Sequence, residues 1–140
     1  MQPWCGGKEA LRKGAAPGGG AEQRGMTLDQ VRKLHTRAKK LCVSDEWRNS
    51  SGNRTNPEEI SLYDLEISLV RPTLVGRGSG SFVEHAYPTA AAKQADWLVN
   101  VWWGQPVAQI LAALEAHARD RALPESTSYY VRARAARRWW

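Results

Sequence analysis

The stretch Asp96–Val107 constrains the fold of this chain more than any other. From Trp97 to Val101 it is a short apolar run typical of a buried strand, and Pro106 stands where a helix can begin. Apolar residues then follow at helical spacing as far as Leu123, and a second strand starts at Ser128. Strand, helix and strand within about 35 residues predict a βαβ unit, a right-handed crossover between parallel strands.

The whole chain divides by composition into four regions. Residues 1–25 are rich in glycine and predict a disordered leader, and residues 26–95 predict a region of helices and loops. Residues 96–135 hold the βαβ unit, and residues 136–140 are a basic-aromatic tail. The predicted fold is therefore α/β, an N-terminal helical region plus one βαβ unit of an incomplete parallel sheet. Two strands and one helix are marginal alone, which predicts a protein partner or self-association.

Local signals predict the elements of the N-terminal region. Thr27 and Gln30 form a capping box before an amphipathic helix that should end near Trp47. Residues 48–55 predict a polar loop, and Asn56 caps a new helical turn with proline at its first position. Residues 60–71 fit either a short helix or an edge strand closed by Pro72, and residues 81–92 predict a helix.

Positive charge is concentrated at the two ends of the chain. The formal net charge is +6, but ten basic and ten acidic side chains cancel over residues 26–118. Arginine and tryptophan in the tail suit an anionic lipid surface or single-stranded nucleic acid, and an unstructured end is the plainer interpretation. The candidate residues for weak, non-specific binding of this kind are Arg132, Arg134, Arg137, Arg138, Trp139 and Trp140.

The turn after the first predicted strand is the other candidate site. Trp102, Trp103 and Gly104, preceded by Asn100, can form an aromatic platform beside a helix N-terminus, suited to a base, a sugar or an anion. Alternatively the two indoles plug the end of the sheet, and Gly104 permits a turn closed to larger residues. We prefer the structural interpretation, because no acidic or hydroxyl group stands next to the pair.

Other motifs indicate little chemistry. The glycines at 76, 78 and 80 lack the spacing of a dinucleotide-binding loop, since Ser81 occupies the third position. His35 and Cys42 share a helix face, but two ligands do not make a zinc site, and His117 is expected in a structural or solvent-exposed role. We predict no cofactor, no metal and no catalytic residue. No apolar run is long enough to span a membrane, which predicts a cytoplasmic protein, with the nucleus as the alternative.

Three segments resemble an uncharacterised protein family abundant in dinoflagellates and related algae. That family carries the signature FVSHWWGEPV, and residues 98–107 of this chain read LVNVWWGQPV. Residues 117–121 (HARDR) and 129–138 (YYVRARAARR) are similar to its next two segments, and parts of residues 60–84 are similar to its upstream region. More distantly, the organisation resembles α/β signalling domains of the TIR and heterokaryon-incompatibility types.

The departures from the family pattern bear on function. Asn100-Val101 replaces Ser-His, and Gln105 replaces Glu, so polar groups suited to proton transfer are lost. The resemblance implies a truncated, non-catalytic signalling-type domain that acts by protein association. Two alternatives stay open: a binder of nucleic acid or anionic membrane through the basic-aromatic tail, and a fragment of a nucleotide-processing enzyme that needs a partner chain.

Overall fold

The computed structural model describes residues 11–13, 25–76, 82, 86 and 95–133, and its fold is α/β. The strands are β1 (Leu11–Lys13), β2 (Met26–Thr27), β3 (Trp97–Val101) and β4 (Ser128–Ala133). The helices are α1 (Leu28–Ser44), α2 (Leu62–Leu65), α3 (Arg71–Leu74) and α4 (Val107–Asp120), with a 3₁₀ turn at Pro57–Glu59 and a π turn at Glu66–Val70. Among the described residues no helix is long and apolar enough to cross a bilayer.

The sheet has four strands in the order β1-β3-β4-β2. β3 and β4 are parallel, with Val99 opposite Val131, and α4 connects them, so the predicted βαβ unit is confirmed. The bounds of β3 and the first residue of β4 match the prediction, whereas α4 ends at Asp120, three residues before the expected end near Leu123. β1 and β2 pair antiparallel at the two edges, which makes the sheet mixed rather than purely parallel. Residues 11–13 are thus an exception to the disordered leader expected over residues 1–25, and the other leader residues before Gly25 lie outside the described part.

One hydrophobic core joins the N-terminal region to the βαβ unit. Val31 and Leu34 of α1 and Ile110 and Leu114 of α4 belong to the same buried cluster as the inward side chains of β3 and β4. Both helices therefore cover one face of the sheet, called here the inner face. Burial of these side chains is the main stabilising contribution in a domain of this size.

Helix α1 begins as the sequence predicts. The Gln30 amide donates to Thr27 Oγ1 at 3.3 Å, and the Thr27 amide donates to Gln30 Oε1 at 2.9 Å. The helix ends at Ser44, three residues earlier than expected. Glu46 takes a left-handed conformation with φ 51, and the Trp47 amide donates back to the Cys42 carbonyl at 3.1 Å, which turns the buried Trp47 into the core.

The segment after α1 also follows its local signals. Residues 48–55 form a polar loop in which Asn49 Oδ1 accepts from the amides of Ser51 and Asn53. Asn56 then caps the 3₁₀ turn, its Oδ1 accepting from the Glu58 amide at 3.0 Å.

Residues 62–74 form a continuous helical segment, which decides between the two interpretations of residues 60–71. Pro72 does not close this segment, because the π turn immediately before it widens the backbone. The Arg71 amide donates to the Glu66 carbonyl, five residues back, and this geometry makes room for a proline ring that clashes with a regular α-helix. Of the helix expected over residues 81–92, Phe82 and Ala86 are helical, and the others lie outside the described residues.

Candidate interaction site at the end of strand β3

Backbone hydrogen bonds join the turn between β3 and α4 to residues 60–63. The Leu62 amide donates to the Gln105 carbonyl, the Tyr63 amide to the Trp103 carbonyl, and the Val107 amide to the Ile60 carbonyl at 2.8 Å. Inside the turn, the Gln105 amide donates to the Trp102 carbonyl at 3.1 Å. The backbone of the turn is therefore preorganised. Two first-turn amides of α4, those of Val107 and Gln109, already have acceptors, which weakens the interpretation of this helix end as an anion site.

The two tryptophans of the turn have different environments. Trp103 is half-buried and packs edge to face against Tyr63, with ring centroids 6.0 Å apart and planes at 82°. Trp102 is 65% exposed. Trp103 therefore serves the core, as the structural interpretation of the turn holds, whereas the Trp102 indole stands at the surface.

The indole of Trp102, and not the backbone conformation, limits the space at Gly104. Its φ is outside the left-handed region, which among the described glycines only Gly52 and Gly76 occupy. A Cβ at Gly104 would lie 2.2 Å from Cη2 and Cζ3 of Trp102, so the six-membered ring lies directly over the glycine. A side chain at Gly104 would therefore require the Trp102 indole to move.

Asn100 lies on the face of the sheet opposite to the helices. Val99 and Val101 are buried and Asn100 between them is exposed, as strand alternation requires. The parallel register places Asn100 opposite Arg132 of β4, which is also exposed. The tail candidates Arg134, Arg137, Arg138, Trp139 and Trp140 lie outside the described residues, as do the glycine-loop residues after Gly76.

Sequence reasoning missed a partly buried aromatic cluster on the inner face. His117 Nδ1 lies 3.1 Å from the Tyr129 hydroxyl, and its ring packs against Trp97 with centroids 4.5 Å apart. Burial is the main cause that lowers the pKa of His117 and raises that of Tyr129, so both groups stay neutral near pH 7. His117 Nε2 is buried and has no hydrogen-bond partner among the described residues. His117 therefore has a structural role, half-buried against Tyr129, and the spacing of His117 and Tyr129 in sequence carried no signal of this contact.

His35 and Cys42 share the buried face of α1, as expected. Cys42 Sγ donates to the Thr55 carbonyl at 3.3 Å, and burial raises the pKa of its thiol. Burial lowers the pKa of His35, which is 8% exposed and whose Nε2 has no hydrogen-bond partner in the part of the chain that the structure describes. In the part of the chain that the structure describes, no group of three or more potential ligands is placed to hold a metal ion.

Comparisons with known proteins return no similarity: no protein-family model matches the chain, and searches of curated proteins and of solved structures find no match. The resemblance to the algal family and to TIR-type domains therefore stays a prediction from the sequence.

Proposed function

We propose that this chain is a non-catalytic α/β domain that acts by protein association through the turn at Trp102. The observation that carries the proposal is the exposure of the Trp102 indole on a backbone that three hydrogen bonds hold to residues 60–63. Tryptophan is the residue type most enriched at the energetic centre of protein interfaces, and a preorganised backbone lowers the entropy lost on binding.

The position of the titratable groups supports association over catalysis at the turn. Among the described residues, shifted pKa values occur at His35, Cys42, His117 and Tyr129, which lie in α1 or on the inner face of the sheet. Each shift is caused chiefly by burial and favours the neutral form, as a core position requires. None of these four groups lies in the turn itself, residues 102–105, so none of them supplies a general acid or base there.

Trp102→Ala tests the proposal, with Val43→Ala as a matched control. Val43 is also 65% exposed and lies at the far end of α1, so its truncation removes apolar surface without touching the turn. Sedimentation velocity over a concentration range measures self-association, and selection from a random peptide display library measures binding to other chains. We expect association in one of the two assays, lost in Trp102→Ala and kept in Val43→Ala. Association that survives Trp102→Ala, or none in either assay, would refute the proposal.

A further inference from the structure

The parallel pairing of β3 and β4 places the guanidinium-bearing residue Arg132 near the exposed turn. Asn100 is opposite Arg132 and Val101 is opposite Ala133, so both strands end at the same edge of the sheet. Trp102 follows β3 directly at that edge. Asn100, Trp102, Tyr130 and Arg132 together are called here the outer surface.

The charge of Arg132 is available to a ligand. Some exposed arginines elsewhere have carboxylate partners, as Arg32 has in Glu115 at 2.8 Å and Arg71 in Glu66 at 2.9 Å, whereas Arg37, like Arg132, has none among the described residues. Within the described residues, Arg132 is exposed and takes part in no ion pair, and the Asn100 side chain makes no hydrogen bond. The formal net charge of the chain is +6, which attracts acidic partners at long range.

Apolar area accompanies this charge. Tyr130, two residues before Arg132 in β4, is half-buried on the same face as Arg132, and the 65% exposed Trp102 follows the end of β3. Tryptophan, tyrosine and arginine are the residue types most enriched among interface residues that carry the binding energy. The outer surface thus presents apolar area and a cation within one strand length.

We infer that the outer surface binds an acidic protein segment in which carboxylate and apolar side chains alternate. A carboxylate pairs with Arg132, the Asn100 amide hydrogen-bonds the segment, and apolar side chains pack on Trp102 and Tyr130. This inference rests on the proposed association function and names the chemistry of the partner. Single-stranded nucleic acid fits less well, because it is bound by successive stacking platforms and a row of cations along the backbone, whereas the outer surface has one exposed indole and one free guanidinium.

Fluorescence anisotropy with the full chain tests this inference. The probes are a labelled peptide of alternating leucine and glutamate about six residues long, the length of β4, the same peptide with lysine in place of glutamate, and oligothymidylate of matching length. The variants are Arg132→Glu, Trp102→Ala and the control Arg37→Glu, which reverses an exposed arginine on α1, in the helical layer.

We expect the acidic peptide to bind more tightly than the basic one. Arg132→Glu should weaken the acidic peptide by roughly threefold to tenfold and reverse the preference, and Arg37→Glu should stay within about twofold. Three results would overturn the inference: an acidic preference that persists in Arg132→Glu, tighter binding of oligothymidylate, or no binding of the acidic peptide up to about 1 mM. In each case a peptide selected by display and lost in Trp102→Ala would leave the proposed function standing, so the two failures are distinguishable.

Discussion

Gly25 and Gly104 should respond differently to the addition of one methyl group. A Cβ at Gly25 would lie 2.7 Å from Ser128 Cβ and 3.0 Å from Ala95 Cα, well inside the 3.5–4.0 Å or so at which carbon atoms make favourable contact. Ser128 cannot retreat easily, because its amide donates to Asp96 Oδ2 at 3.0 Å and its carbonyl accepts from the Asp96 amide at 3.0 Å. Gly25→Ala must therefore move backbone at the start of β4.

The added methyl group at Gly104 would make a shorter contact than the one at Gly25, but it should lower the free energy of unfolding by less. The atoms 2.2 Å from its added Cβ are the far end of the Trp102 indole, which is 65% exposed and free to rotate into water. Overpacking in a core costs about 1–3 kcal/mol, and the reduced freedom of the unfolded chain returns about 0.4–1 kcal/mol when alanine replaces glycine. We expect Gly25→Ala to lower the free energy of unfolding by about 1–2 kcal/mol, and Gly104→Ala to change it by less than about 0.5 kcal/mol.

Urea denaturation followed by circular dichroism measures both values on matched samples. The double variant Trp102→Ala/Gly104→Ala is the internal control, because without the indole the new methyl group meets no obstacle. Relative to Trp102→Ala alone it should be neutral or slightly more stable. If Gly104→Ala is more destabilising than Gly25→Ala, or if the double variant is no better than additive, the assignment of the Gly104 requirement to the Trp102 ring is wrong.

Three further predictions concern stability. Ala122 follows the end of α4 with φ 49, a left-handed conformation that is costly for any residue with a Cβ. Ala122→Gly should therefore raise the free energy of unfolding, measured in thermal melts, by about 1 kcal/mol. The control Ala112→Gly, on the exposed face of α4, should lower it by about the same amount. Thr27→Ala removes one half of the capping box and should cost about 1 kcal/mol, whereas Thr36→Ala, exposed in the middle of α1, should not destabilise; equal losses in urea titrations would argue against the cap. Burial lowers the pKa values of His35 and His117 from 6.5, so below that pH the unfolded chain binds more protons than the folded one. The free energy of unfolding should therefore be highest above about pH 6.5 and should fall as the pH is lowered. The double variant His35→Gln/His117→Gln should flatten this slope between pH 7 and 5, and an unchanged slope would mean that carboxylates cause it.

Element boundaries that depend on neighbouring residues could be predicted from the sequence. The bounds of β3, the first residue of β4 and the capping box of α1 all matched, because each depends on residues within a few positions of one another. Pro72 shows the limit of such signals. A proline normally ends a helix, but the π turn at Glu66–Val70 accommodates it, and nothing in the apolar pattern of that segment marks a π turn.

Of the candidate site, the sequence identified Trp102, Gly104, Asn100 and Arg132 as separate features of two segments. Their proximity follows from the parallel register of β3 and β4, and the rigidity of the turn follows from backbone hydrogen bonds to residues 60–63. The His117–Tyr129 contact is likewise a product of how α4 lies across the sheet. Capping and apolar periodicity depend on the side-chain types of residues close together in the chain, so the amino-acid order alone determined them. Amides and carbonyls are the same at almost every residue, so which distant strands and turns they join was decided only when the core packed.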